Sequence, residues 1–161
     1  MKLKTILAVA VVALSSAACS EDEKQPAVAD IAGSYEGYTL AGCAYFQNTC
    51  TAGETVVVTE NTDGTARVTF ISDSWGEFTI PGAQMSENGG TCTLTGSGQT
   101  KMGMGGNVSS YDCTYTAVIH SREKAQMQFK VAGVMGGLTL DFTTGEAPAD
   151  LLLGKAPATA E

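Results

Sequence analysis

From residue 31 to residue 145 the apolar positions recur mostly every second residue. That is the period of a half-buried strand, not of a helix. The clearest case is residues 125–131. Ala125, Met127, Phe129 and Val131 alternate with Gln126, Gln128 and Lys130. After a Gly136-Gly137 turn, Leu138, Leu140 and Phe142 alternate with Thr139, Asp141 and Thr143. This predicts a hairpin with one face on a core. Upstream, Cys113, Tyr115, Ala117 and Ile119 alternate with polar residues and Val118, and residues 121–124 make a polar turn. Residues 55–60 and 67–71 read as partner strands. The Asn61-Thr62-Asp63-Gly64 turn joins them, because Asp-Gly supplies positive φ at little cost. Further strands are predicted at 33–40, at 77–80 (stopped by Pro81-Gly82) and at 91–95, the last with Cys92 and Leu94 inward. The count is eight strands with hairpin spacing and no convincing helix.

Eight antiparallel strands close naturally into an up-and-down barrel, which removes unpaired edges. A two-sheet sandwich is the competing all-β arrangement. A barrel would turn Tyr35, Val68, Phe70, Phe78, Tyr115, Met127, Phe129, Leu138 and Leu140 inward.

The first nineteen residues follow a different pattern. Lys2 and Lys4 precede an apolar run of nine residues from Ile6 to Leu14, and small residues lead to Cys19. Such a run is too short to cross a membrane and fits a signal peptide, residues 1–18. Ser16-Ala17-Ala18-Cys19 resembles a lipobox, in which the cysteine is acylated and becomes the new N-terminus. An ordinary secretory leader cleaved after Ala18 is the competing reading. Residues 19–30 then form an acidic tether that opens Ser20-Glu21-Asp22-Glu23-Lys24. That run resembles the one that marks surface-exposed lipoproteins of Bacteroides-type bacteria. Acyl chains would hold the protein without a spanning helix. The expected place is the outer membrane, facing the cell surface or the periplasm. Residues 146–161, rich in alanine and proline, read as a disordered tail, with docking of the Leu151-Leu152-Leu153 run on the barrel as the alternative.

Charge narrows the function classes. The chain carries 17 acidic and 9 basic residues, a formal charge of −8, and Lys2 and Lys4 belong to the leader. This argues against nucleic acid and against electrostatic docking to anionic lipid. One histidine, His120, leaves no room for a multi-histidine metal site. No serine elbow, nucleophile–base pair or cofactor fingerprint accompanies it, so neither an enzyme nor a cofactor is expected.

Four cysteines remain after Cys19: Cys43, Cys50, Cys92 and Cys113. An even number in an oxidising compartment suggests disulfides. Cys43–Cys50 and Cys92–Cys113 are the favoured pairs of three; buried free thiols are the alternative. No CxxC pair supports zinc.

The barrel portion, residues 31–145, resembles the calycin-like β-barrel lipoproteins of Bacteroides-type bacteria. The resemblance rests on the lipobox-like start and on Ile31-Ala32-Gly33-Ser34-Tyr35-Glu36-Gly37. It also rests on the Glu60-Asn61-Thr62-Asp63-Gly64-Thr65 hairpin and the Val134-Met135-Gly136-Gly137-Leu138 turn. Gly33-Ser34-Tyr35 looks like the lipocalin Gly-x-Trp opening with tyrosine in place of tryptophan. The resemblance implies a barrel with a cavity and no known activity.

Candidate contacts follow. Tyr45 and Phe46 lie on a long loop, residues 41–54, that a Cys43–Cys50 bridge would pin at the barrel mouth. Trp75 could stack on a ligand. Tyr35, Tyr115 and Phe129 would line the interior. The glycine-dense stretch 96–107 reads as a flexible hairpin loop. It lacks the signature of a phosphate cradle, and Met102 with Met104 is thin support for a soft-metal site. Asn107-Val108-Ser109 matches a glycosylation sequon by chance. The reading these residues support is a non-enzymatic module that holds a small apolar ligand in or at the mouth of a barrel. The alternative is a structural or protein-interaction module, including a protease-inhibitor-like role, whose protein partner the sequence does not name.

Overall fold

A computed structural model describes residues 27–104 and 107–152. The signal peptide, the lipidation residue Cys19, most of the tether and residues 153–161 lie outside the described residues. The strands are β1 (Gly33–Gly42), β2 (Thr49–Glu60), β3 (Ala66–Ser72), β4 (Gly76–Asn88), β5 (Thr91–Met104), β6 (Asn107–Ile119), β7 (Ala125–Val131) and β8 (Leu138–Thr144). Each pairs antiparallel with the next, and β8 returns to β1, closing an eight-stranded up-and-down barrel. The sandwich is thereby excluded. Two single-turn helices flank the barrel: α1 (Val28–Ile31) and α2 (Ala149–Leu152).

All nine positions expected inward are buried. Alternation therefore set the facing of each strand, as the two-residue period requires. The predicted Asp-Gly turn is present: Gly64 has φ +78° and the Asp63 carboxylate accepts from the Thr65 N–H at 3.0 Å. The polar turn at 121–124 is also present, with the His120 N–H on the Lys124 carbonyl.

Strand lengths differ from expectation at three places. First, Pro81-Gly82 does not stop β4. The strand runs on to Asn88, and the register against β5 slips between Thr79 and Gln84. Proline is tolerated there because the ladder is already interrupted at a bulge. Second, the glycine-dense stretch is strand wherever it is described: β5 extends to Met104 and β6 starts at Asn107. Gly96 and Gly98 serve close packing. A Cβ at Gly98 would stand 2.0 Å from the Thr79 carbonyl oxygen. Third, the loop expected at 41–54 shrinks to 43–48, because β2 begins at Thr49.

The ends of the chain also depart from expectation. Val28, read as tether, is buried in the core beside Ile31, so the end of the tether forms part of the barrel's base. Residues 149–152 of the tail form α2, which lies against β2, as the docking alternative has it for Leu151 and Leu152.

Candidate functional site

Loops that follow even-numbered strands open at one end of the barrel and those that follow odd-numbered strands at the other. The base carries α1, the β2–β3, β4–β5 and β6–β7 turns, and the start of β1. The mouth carries the β1–β2 loop, Trp75, the β5–β6 hairpin and the β7–β8 loop.

At the mouth, Phe46 and Trp75 face each other with ring centroids 6.0 Å apart. The Trp75 indole N–H donates to Thr51 Oγ1 at 3.2 Å. Ser72 is the hub beneath them. Its hydroxyl donates to Glu54 Oε1 at 2.7 Å and accepts from the Ser74 and Trp75 backbone N–H groups. Glu54 is a buried carboxylate. Burial raises its pKa, the Ser72 hydrogen bond opposes that, and nearby Asp73 adds to the rise.

The β1–β2 loop is pinned without a bridge. The Cys43 N–H donates to the Phe46 carbonyl at 2.9 Å, and Gln47 Nε2 to the Cys43 carbonyl at 2.6 Å. The Ala44 N–H reaches the Met135 carbonyl at 3.3 Å, tying this loop to the β7–β8 loop. Tyr45 is 80% exposed beside them.

All four cysteines are free thiols. The register explains this. Cys92 stands opposite Ile119, whereas Cys113 stands opposite Gly98, six positions along β5. At about 3.3 Å per residue that separates them by roughly 20 Å, far beyond disulfide reach. Cys50 pairs with half-exposed Leu40 on the outer face, while Cys43 continues the buried row of Thr39 and Ala41. Both expected bridges are therefore corrected: a short loop does not bring Cys43 and Cys50 to one face, and neighbouring strands with inward cysteines still hold Cys92 and Cys113 at different levels. Burial pushes the Cys113 thiol up to about 11.

The interior aromatics do not line an open cavity. Phe129 packs on Phe70, Phe78 and Tyr115, with centroids 5.4, 5.3 and 4.9 Å away. Such contacts add about 0.5–1.5 kcal/mol each beyond burial. Tyr35 is fully buried, and its hydroxyl donates to the Ile31 carbonyl at 2.5 Å, fastening α1 into the base. Burial raises the Tyr35 pKa, and Arg122 draws it part of the way back. The Tyr115 hydroxyl is buried without a hydrogen-bond partner. Tyr35, Tyr115 and Phe129 are thus inward as expected, but as packing. Phe46 and Trp75 do meet at the mouth, and Tyr45 stands exposed on the same loop.

A groove of about 780 Å³ lies outside the wall. Ser34, Glu36, Ala52, Arg122 and Leu152 line it, with the chain after β8 along one side. Arg122 is held there by a 2.6 Å hydrogen bond to the Ala32 carbonyl. His120 is exposed, with Nδ1 3.1 Å from Thr91 Oγ1. Among the described residues no group of three or more metal-ligating side chains forms.

Sequence reasoning missed Glu54, Ser72 and Arg122. The signal for the first two was phase: Glu54 precedes Val56 and Val58 by steps of two, and Ser72 follows Phe70. Nothing local marked Arg122, which acts across 90 positions of chain.

The outer wall over β6–β8 is largely polar, with Val118 among its polar residues, while Ile71 on β3 is exposed. Thr114 and Thr116 on β6, Gln126, Gln128 and Lys130 on β7, and Thr139, Asp141 and Thr143 on β8 share it. Gln128 Nε2 donates to Asp141 Oδ1 at 2.6 Å. A barrel that spans a membrane shows the reverse, an apolar band outside. Among the described residues, no helix is long and apolar enough to cross a membrane.

No family model and no curated protein matches the chain. Among solved structures, it resembles the crystal structure of a "putative outer membrane protein" from Bacteroides fragilis. The TM-score is 0.63 and the identity 32%, over 75% of this chain and 46% of that one. The chain thus spans just under half the length of that protein. An eight-stranded barrel of this topology fits a calycin-like fold.

Proposed function

We propose that this chain is a lipid-anchored protein of the outer membrane whose barrel is a non-enzymatic interaction module, working through its rims and outer wall. One observation carries the choice of surface over interior: the centre is filled by Phe70, Phe78, Phe129 and Tyr115 in mutual contact. The likeness to the Bacteroides fragilis protein supports the location. The polar wall supports attachment through Cys19 rather than through the strands, with the body of the barrel in water. Of the two functions read from the sequence, the geometry favours the protein-interaction module over a ligand inside the barrel.

The test is expression of the full chain in a Bacteroides host. Palmitate should label it, the label should follow the outer-membrane fraction, and Cys19→Ala should abolish both. Crosslinking on intact cells should return one reproducible protein partner. A chain released without label, or an intact barrel that carries a stoichiometric small molecule in native mass spectrometry, would overturn the reading.

The external groove favours a second reading, a small and largely apolar ligand held against Leu152 and Ala52. Its volume falls within the roughly 300–1,000 Å³ of ligand sites. Leu152→Asp should weaken such binding and leave the barrel intact.

A further inference from the structure

The barrel is closed, yet its stagger leaves strand ends paired on one side only at the rims; at the mouth, Ser72 and Trp75 reach the β2 one through side-chain hydrogen bonds to Glu54 and Thr51, and the other lies on β6. β6 pairs with β5 along its whole length, down to Asn107 opposite Met104. Its pairing with β7 ends at Thr114, opposite Lys130. β4 in turn leaves β5 at Lys101, opposite Glu77. The β5–β6 hairpin therefore overhangs the mouth. Residues 107–112 have β5 on one side and no strand on the other. The β7–β8 loop comes near, since a Cβ at Gly133 would meet the Tyr111 ring at 3.6 Å. Among the described residues, however, no backbone hydrogen bond joins 107–112 to that loop.

An open edge presents a row of unpaired N–H and C=O groups, a template for an added strand. Proteins commonly block such edges with charge, proline or a bulge. Here the stretch reads Asn-Val-Ser-Ser-Tyr-Asp, with one charge at its end and an even register against β5. Val108 is 70% exposed on one face, and half-buried Tyr111 reaches the core on the other.

We propose that residues 107–112 of β6 take an extended peptide segment of another protein as an added strand. This rests on the interaction-module reading and names its docking edge. Two observations select this occupant over a second copy of the chain. Six residues of edge fall far short of the roughly 1,200 Å² that a stable dimer buries, but they suit one extended peptide. Antiparallel pairing of two such edges would also point the two α1 ends apart, whereas two chains tethered to one membrane must present them the same way. The added strand should be basic, because the chain carries −8 and Asp112 ends the edge. It should turn an apolar side chain toward Tyr111.

The experiment is hydrogen exchange, read by mass spectrometry, on the lipidated full chain in detergent. The probe is a synthetic peptide of about eight residues that alternates valine with lysine and threonine. Two control peptides carry glutamate for lysine, or proline at alternate positions. Exchange across 107–112 should slow roughly tenfold with the basic peptide, less with the acidic one and not at all with the proline one. Ser109→Pro and Ser110→Pro refine this. Successive residues of an antiparallel strand turn their N–H groups toward opposite neighbours. One of the two variants should therefore keep the β5–β6 ladder, and with it the near-ultraviolet spectrum of the core, while losing the peptide. Protection elsewhere, or none at 107–112, would overturn the proposal. So would protection without peptide that grows with protein concentration, which would assign the edge to a second copy. Membrane attachment is scored separately, so failure of the edge is distinguishable from failure of the anchoring reading.

Discussion

The base and the mouth of this barrel solve one problem with different chemistry. At the base, a single helical turn puts Val28 and Ile31 into the core, and one tyrosine hydroxyl fastens it to the wall. At the mouth, loops converge on Phe46 and Trp75, above a buried carboxylate held by Ser72. The seal at the base is made of apolar side chains, with the Tyr35 hydroxyl holding α1 and polar contacts such as Arg122 to the Ala32 carbonyl kept to its rim. The mouth holds an ionisable group that burial disfavours when charged. A seal made of apolar side chains is insensitive to pH, whereas a seal built around Glu54 is not. The mouth is also where the open β6 edge lies, so the more polar end is the one suited to partners.

The largest expected effects come from deleting each seal. Trp75→Ala should cost about 3–5 kcal/mol, since it empties the mouth of its largest side chain. Ile31→Ala should cost about 2–4 kcal/mol at the base. Urea unfolding of both variants ranks the ends, and a larger loss for Ile31 would reverse the ranking.

The two buried tyrosines should behave oppositely. Tyr35→Phe strands the Ile31 carbonyl and should cost about 1 kcal/mol. Tyr115→Phe removes a hydroxyl that has no partner, and should be neutral or stabilising by about 1 kcal/mol. Thermal melts of the pair measure the difference; equal losses would mean that the Tyr35 hydrogen bond contributes nothing of its own.

A smaller effect should separate the ends by pH. The Glu54 pKa is raised in the folded chain, so the fold binds that proton more tightly than the unfolded chain does. Stability should therefore fall as pH rises from the ordinary carboxylate value of 4.5 through the raised one. Glu54→Gln should remove that part of the slope, read from urea midpoints across the range. An unchanged slope would place the pH dependence elsewhere.

The thiols give the finest comparison. Half-exposed Cys50 and Cys92 should alkylate in the folded protein. Buried Cys43 and Cys113 should react only on unfolding, Cys113 also because its thiol is pushed to about 11. Mass spectrometry of iodoacetamide-treated protein distinguishes the two classes.

How much of this was legible in the sequence depends on the range over which each feature is decided. Alternation along a strand is local, and it placed Tyr35, Phe70, Tyr115 and Phe129 inward before any fold was known. The Asp63-Gly64 turn is equally local. Strand ends were less legible. Pro81 stops an isolated strand, but here a bulge absorbs it, and only the neighbouring β5 shows that. Gly98 looked like loop composition because the carbonyl of Thr79 that excludes a side chain lies on another strand.

By itself the sequence determined eight strands and their facing, because a two-residue period and turn chemistry act within a few residues; it favoured a barrel, and the pairing of β8 with β1 excluded the sandwich. Only the tertiary structure decided register. Register keeps Cys92 and Cys113 apart, joins Glu54 to Ser72, fills the interior with aromatic contacts and leaves β6 overhanging β7. Each of these depends on which residues stand opposite one another across strands, and closing the barrel fixes that for all eight strands at once.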